Sequence, residues 1–339
     1  MLSKDYQICS RCVMDSTASE FYIDSEGVCN FCHLAQKALK EMGGELPNMK
    51  SKGKYDVIIG LSGGIDSSTA LVKLVELGLR PLCFSVDNGW NTTASDENIM
   101  RLVEGLKVPF FRYTIDLDKF KELQSAFLQS GVINIEIPSD HIIVATAYDM
   151  ACKYGIKYII SGGNTATESI MPPSFGYSAR DLVHIKDIYK KMTGKRLKGL
   201  PTMSLLKFNY YRWIKKIKVI NILDFYNYNR ENAIKELEEK FGYKPYGEKH
   251  CESIFTQWFQ SFYLFTKFSI DKRKAHYSSL INSGQMTRKE ALDKLQQAPI
   301  YPQLGIEERV LKYPKHDHHF YKTDEKLYNF ICKLVKLFV

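Results

Sequence analysis

The sequence predicts an α/β protein built on a parallel sheet, with a cysteine-rich module before the sheet and a mostly helical region after it. Three observations predict this. Tyr55–Leu61 is an apolar run that leads into Ser62-Gly63-Gly64-Ile65-Asp66-Ser67-Ser68 and then into Thr69–Leu77, apolar at helical spacing. Short apolar runs alternate with helical patterns as far as residue 161, the pattern of strand–helix–strand units. Two CxxC pairs, Cys9–Cys12 and Cys29–Cys32, stand near the N-terminus. The chain divides accordingly into residues 1–49, 50–205 and 206–339.

The 339 residues have the composition of a globular protein with room for a substantial core. No charge-free apolar run reaches the ~18 residues of a membrane span, and residues 1–7 lack the apolar core of a signal peptide. The cytoplasm is the expected compartment. The formal charge of +9 suits polyanions, but the lysines are scattered. The densest stretches are Lys186–Lys198 and Lys215–Lys218, which read as solvated basic faces; charge by itself does not argue for nucleic acid.

Eight cysteines in a chain expected to be reduced point to metal binding or catalysis before disulfides. The two CxxC turns, separated by residues 13–28, can place four thiolates around one tetrahedral ion. Between them Phe21–Val28 reads as a strand, a turn at Ser25–Gly27 and a return strand, the outline of a zinc ribbon. Four protein ligands leave no open position, so the metal is expected to be structural. His33 could replace one thiol, and an iron–sulfur cluster is the rival occupant.

Lys50–Lys54 is a polar linker. The first strand, the small-residue turn and the following helix then make an anion site. Gly63 and Gly64 allow close backbone approach, the first helical amides are unpaired, and the helix dipole favours negative charge. Ser62, Ser67 and Ser68 add hydroxyls, and Asp66 can hold a cation beside phosphates. No GxxxxGK[ST] is present, so this is not a Walker loop.

The helix closes at Gly78. Pro81–Asp87 is the second strand, followed by a helix from about Ser95 to Leu106 and a third strand at Phe110–Ile115. Helices at Asp118–Gln129 and Asp140–Tyr154 lead to a fourth strand, Tyr158–Ser161. In such sheets ligands sit beyond the carboxyl ends of the strands. Gly162-Gly163-Asn164-Thr165-Ala166-Thr167-Glu168-Ser169 falls at such an end, and reads either as a polar binding turn or as a turn with a helix cap. Beyond residue 205 the pattern becomes helical and aromatic, with amphipathic stretches at Trp213–Ile222, Asn229–Phe241 and Ser253–Phe268. Thr287–Glu290 is a capping box opening a helix over Lys289–Gln297, and Asp324–Val339 is a terminal amphipathic helix. His316–His319 fits no metal motif and reads as a solvated loop; Cys83, Cys152 and Cys332 read as core.

The stretch SGGIDSS resembles the pyrophosphate loop of the N-type ATP pyrophosphatases, the PP-loop or adenine nucleotide alpha hydrolase-like fold. In that superfamily the loop grips the leaving pyrophosphate while AMP is transferred to a carbonyl oxygen. The resemblance implies ATP at Leu61, Ser62, Gly63, Gly64, Asp66, Ser67 and Ser68, with Val86 and Asp87 beside adenine and ribose in Val86-Asp87-Asn88-Gly89. It implies further contacts at Gly162 and Asn164, and magnesium at Glu168 shared with Asp66. Further segments are similar to the N-acetyl sugar amidotransferases of the WbpG and PseA type. These are both cysteine knuckles with Val13-Met14-Asp15, Ser161–Ser169, Gly247–Ser253, and Asp271–His276 continuing to Glu290-Ala291-Leu292. Cys251, and the missing histidine between Gly162 and Asn164, depart from that pattern.

The second resemblance implies an acetamido group converted to an acetamidine through adenylation of its oxygen and displacement of AMP by ammonia. It makes Lys249, His250 and Glu252 candidates for catalysis beside Asp66 and Glu168, and Thr167, Glu168, His250, Glu252, Arg273 and His276 candidates for holding the sugar or its phosphates. No glutaminase half is recognisable, which predicts a partner glutaminase, with a channel-forming, cyclase-like subunit as a further component. The substrate is left open between a nucleotide-linked acetamido sugar and a nonulosonic acid. The alternative is a tRNA thiolase, which shares the loop, the knuckles and the basic charge.

Overall fold

The computed structural model describes residues 6–247, 249 and 251–338, the last seven by backbone alone. Its centre is a five-stranded, all-parallel sheet of β1 (Val57–Gly60), β2 (Pro81–Asp87), β3 (Phe110–Thr114), β4 (Tyr158–Ser161) and β5 (Lys218–Asn221), in the order β3-β2-β1-β4-β5. The helices are α1 (Asn30–Lys40), α2 (Ile65–Glu76), α3 (Thr93–Gly105), α4 (Leu117–Ser130), α5 (Ile137–Lys153), α6 (Thr165–Glu168) and α7 (Leu182–Thr193). They continue with α8 (Leu205–Asn209), α9 (Arg230–Phe241), α10 (Ile254–Trp258), α11 (Arg273–Asn282), α12 (Arg288–Leu295), α13 (Glu307–Lys312) and α14 (Glu325–Phe338). The α8 and α10 helices widen at their ends into π-helical turns, Tyr210–Ile214 and Phe259–Lys267. Among the described residues no helix is long and apolar enough to cross a membrane.

Both faces of the sheet are covered, which is why its strands read as unbroken apolar runs instead of alternating ones. Ile58, Leu82, Phe84 and Ile159 point into a core shared with α4, α5 and α7. Val57, Ile59, Cys83 and Ile160 point to the other face, where α2, α3 and α9 close a second core. Strand order reverses at β1 and β4. The chain winds outward from β1 through β2 to β3, then returns to the far side of β1 at β4, so the turns leaving β1 and β4 part to opposite sides and open a crevice between them.

The expected elements from Tyr55 to Ser161 appear with boundaries moved by about a turn or less. Thr92 rather than a later residue caps α3, its hydroxyl accepting from the Ser95 amide at 3.1 Å. The stretch Trp213–Ile222 departs from expectation: it is no amphipathic helix but the end of a π turn followed by edge strand β5, so the sheet takes its last strand from beyond residue 205. Four residues, β-branched at Val219 and Ile220, are too few to distinguish the two periods. The thiol of Cys83 is buried in β2 and Cys152 lies partly buried in α5; the side chain of Cys332 lies outside the described residues.

The segment His316–His319 is also not solvated throughout. The His318 ring is buried, its Nδ1 2.8 Å from His184 Nε2, and stacked on Tyr177 with centroids 4.3 Å apart. Burial drives the His318 pKa down to about 3 and that of His184 to about 4, so both rings are neutral and act as packed aromatics. His316 Nδ1 lies 2.8 Å from the Ser130 carbonyl oxygen, which straps this segment to the end of α4.

Candidate functional site

The two cysteine knuckles converge. All four Sγ atoms lie within 4.8 Å of one another, with Cys9–Cys32 at 3.9 Å and Cys12–Cys29 at 3.7 Å, and all four residues are buried. Tetrahedral thiolates about 2.3 Å from one ion stand roughly 3.8 Å apart, so the quartet fits a single zinc ion. A cluster interposes iron and sulfide atoms and needs its thiolates farther apart. Backbone amides point at the sulfurs, among them those of Cys29 and Cys12 onto Cys9 Sγ at 3.2 and 3.4 Å, as suits thiolates. The ribbon is reduced to bridges, Ile8 with Asp15 and Ile23 with Cys29, and the second knuckle runs straight into α1. His33 turns away, its Nε2 2.7 Å from Asp24, and is no ligand.

The knuckles also grip the helical region. Arg288 donates to the carbonyls of Cys9 and Cys12 at 3.0 Å each, Ser278 Oγ accepts from the Val13 amide at 3.2 Å, and Lys274 pairs with the buried Asp15. The α11 helix, so anchored, packs against α6, with Ser279 Oγ accepting from the Ile170 amide at 3.0 Å. A metal held by the quartet would thereby be tied to the turn after β4.

At the crevice, β1 ends in the loop Leu61–Gly64 and α2 begins at Ile65. Gly63 has φ +76°, and a Cβ there would stand 2.3 Å from the Ser95 carbonyl oxygen. Only glycine fits. Gly63→Ala is expected to cost at least ~1 kcal/mol in backbone strain and to push α3 off the loop, lowering the thermal midpoint and weakening nucleotide binding together. An unchanged melt would show that the loop yields freely. The turn after β4 lies directly against this loop: a Cβ on Gly162 would stand 2.9 Å from the Ser67 amide nitrogen.

Ser62, Gly64, Ile65, Asp66, Ser67, Arg230, Tyr246, Lys249 and Glu252 line one cavity over the loop. Ser67 Oγ is 3.3 Å from Ser62 Oγ and donates to the Gly64 carbonyl at 3.2 Å, holding the loop's shape. Asp66, in the first turn of α2, and Glu168, ending α6, face each other across the Lys249 ammonium. Lys249 Nζ is 2.9 Å from Asp66 Oδ2, 2.7 Å from Glu168 Oε1, and donates to Thr167 Oγ1 at 2.9 Å. Burial disfavours this ammonium, but the two carboxylates outweigh it and hold its pKa above the ordinary lysine value. Two carboxylates and a hydroxyl are hard oxygen donors, the set that suits magnesium. On Glu252, burial and then the nearby Asp66 charge push the carboxyl up to about 7, against the pull of Lys249.

Several sequence candidates stand back from the cavity. Ser68 is buried in α2, and Leu61 and Val86 are core residues at their strand ends. Asn164 caps α6, accepting from the Thr167 amide at 2.9 Å and hydroxyl at 3.0 Å. Asp87 Oδ1 accepts from the Gly89 amide at 3.2 Å, shaping the turn after β2. Arg273 is paired with Asp271 at 2.7 Å. His276 is buried on α11, where burial, then Lys249, Lys272 and Arg230, keep it neutral. His250 lies outside the described residues.

The sequence reading missed four residues: Arg230 and Tyr246, which line the cavity, and Tyr228 and Tyr243, which hold its walls. Tyr228 donates to Asp66 Oδ1, and Tyr243 donates to the Gly63 carbonyl at 3.1 Å. Burial, then the Asp66 charge, raises the Tyr228 pKa, so this tyrosine stays a donor and fixes the carboxylate. The aromatic richness of residues 206–268 was their signal, but nothing local aims them at a loop far away in sequence.

Residues 252–317 match the family described as "LPS biosynthesis protein WbpG-like, C-terminal domain". The resemblance read from the sequence therefore holds in this region, and the matched segment opens on Glu252 and includes α10, α11 and α12. No curated protein matches the chain. Among solved structures, it is similar to a predicted subunit of tRNA methyltransferase from Methanocaldococcus jannaschii, at 16% identity and TM-score 0.31 over 54% of this chain and 76% of that one. It is also similar to NMN synthetase from Francisella tularensis (17%, TM-score 0.30, 57% and 98%). A third is the NH3-dependent NAD synthetase from Campylobacter jejuni subsp. jejuni (15%, TM-score 0.29, 65% and 96%). Likenesses this slight add nothing to what the sheet and loop show directly.

Proposed function

We propose that this chain, a WbpG-like C-terminal domain closed over a pyrophosphate loop, is an ATP-dependent C–N ligase that converts an acetamido group of a sugar into an acetamidine. One observation carries the reading: Glu252, where the WbpG-like match begins, shares a single cavity with Ser62, Gly64, Asp66 and Ser67 of the loop. Chemistry on phosphate and chemistry on the acceptor would then meet in one place.

The acetamide carbon is a poor electrophile because nitrogen donates into the carbonyl. Attack of its oxygen on the α-phosphorus of ATP releases pyrophosphate and makes AMP a leaving group. Ammonia then adds to the carbon, the C–O bond to AMP breaks, and a proton from nitrogen passes to a base. Glu252, with its carboxyl pushed up to about 7, is suited to take that proton at neutral pH. The loop amides, Ser62, Ser67 and Arg230 would hold the departing pyrophosphate. Asp66 and Glu168 would hold magnesium, which supplies charge neutralisation on the phosphates. Ammonia would come from a partner glutaminase, with a channel-forming, cyclase-like subunit where delivery is guided. The substrate would be a nucleotide-linked acetamido sugar or a nonulosonic acid of surface polysaccharide synthesis.

The test is pyrophosphate release from ATP and ammonium chloride with a panel of UDP- and CMP-linked N-acetyl sugars, products read by mass. The expected product is lighter than substrate by the difference between O and NH, and Asp66→Ala is inactive. Silence with every sugar, together with ATP-dependent modification of bulk tRNA, would overturn the reading in favour of a thiolase.

A further inference from the structure

We propose that Lys249 and a divalent cation take turns at one position, the gap between Asp66 and Glu168, and that the ammonium passes from these carboxylates to the nucleotide's phosphates when the cation arrives. This rests on the ATP-using reading above, and goes beyond it by assigning Lys249 a movable role.

The gap is built by two fixed walls. Asp66 is held by the Tyr228 hydroxyl and by its place in the first turn of α2. Glu168 ends α6, whose first amide donates to Asp224 Oδ1 at 2.6 Å and whose following turn is tied to α11 through Ser279. The two loops touch at Gly162 and Ser67, so the carboxylates cannot separate easily. The occupant is different in kind. It is the end of a long, flexible side chain, and it spends three donors on three oxygens at 2.7–2.9 Å, as a bound cation would.

Charge decides the exchange. Two carboxylates and one ammonium leave the gap with one net negative charge. A dication entering alone would sit within a few ångströms of the ammonium and be repelled. A nucleotide changes this, because its phosphates give the ammonium a new partner inside the same cavity, beside Ser62, Gly64 and Ser67. Cation and nucleotide should therefore load together, with Lys249 withholding the site from the metal alone.

Manganese stands in for magnesium in a test that needs no turnover: Mn2+ binding followed by electron paramagnetic resonance, without nucleotide. Wild type is expected to bind weakly, Lys249→Met about tenfold more tightly or better, and Lys249→Arg like wild type because the charge is kept. Adding Asp66→Asn to Lys249→Met should abolish the gain. Lys249→Gln, which removes the charge and leaves both carboxylates and the Thr167 hydroxyl in place, should give a gain in the same direction if Lys249→Met proves unstable. Unchanged or weaker Mn2+ binding in both variants would overturn the proposal. Failure of the functional reading is separable: it appears as absent pyrophosphate release in wild type, whatever the manganese affinities are.

Discussion

Stripping the metal from Cys9, Cys12, Cys29 and Cys32 is expected to lower the thermal midpoint by roughly 10 °C or more and to abolish nucleotide binding with it. The four cysteines are buried and no lysine, arginine or histidine side chain reaches them among the described hydrogen bonds, so without an ion nothing offsets the charge of four clustered thiolates. The neighbouring cysteines push the Cys29 and Cys32 thiols up, and the mutual geometry is lost. What rides on that geometry is larger than the knuckles. Arg288 reads the carbonyls of Cys9 and Cys12, Asn282 donates to Cys32 Sγ at 3.3 Å, and Lys274 meets the buried Asp15. All three hold α11 and α12 in place, and α11 is the support of α6 and hence of Glu168. Cys12→Ser should reproduce the effect of a chelator. Metal content, melting and nucleotide affinity measured on one sample would test it; a metal-free protein that melts as before would show that the knuckles are an independent appendage.

Where the sequence sufficed, the physics was local. The apolar run before Ser62 is short and ends in a glycine turn, as a buried strand does, and Gly63 takes a positive φ, so strand, loop and helix were legible from about twenty residues. The quartet was legible from spacing, because a CxxC turn brings its own two thiols together. Where it failed, the determining contacts were distant. Among the described residues Lys218–Asn221 pairs only with β4, some sixty residues earlier, and carries no period long enough to distinguish strand from helix. Tyr228, Arg230 and Tyr243 belong to the site solely because α9 folds back over α2, and a tyrosine aimed at Asp66 looks in sequence like any other aromatic of a helical region. His318 was misjudged for the opposite reason. A polar tetrapeptide ought to be wet, yet the His318 ring is buried, stacked on Tyr177 and hydrogen-bonded through Nδ1 to His184, while its Nε2 is left without a partner among the described residues.

Turnover with ammonium should follow the ionisation of Glu252. With free ammonia held constant as pH is varied, the rate is expected to rise with pH through about 7 and then level, because the carboxyl must be deprotonated to accept the proton from the attacking nitrogen. The direction follows from the cause: burial and Asp66 raise this pKa, so the protonated and inactive form persists to a higher pH than for an exposed glutamate. Glu252→Gln should lose ~10²-fold in rate or more, and its remaining activity should lack the limb near neutrality. A limb that survives in the glutamine variant would assign the titration to another group. The neighbours supply a second check. Lys249 pulls the Glu252 pKa down while Asp66 pushes it up, so, with the Glu252 carboxyl titrated directly by NMR and without turnover, Lys249→Met should raise its pKa and Asp66→Asn should lower it. Opposite shifts from two residues that share one ion pair would locate the base between them, whereas parallel shifts would mean that both substitutions simply loosen the cavity.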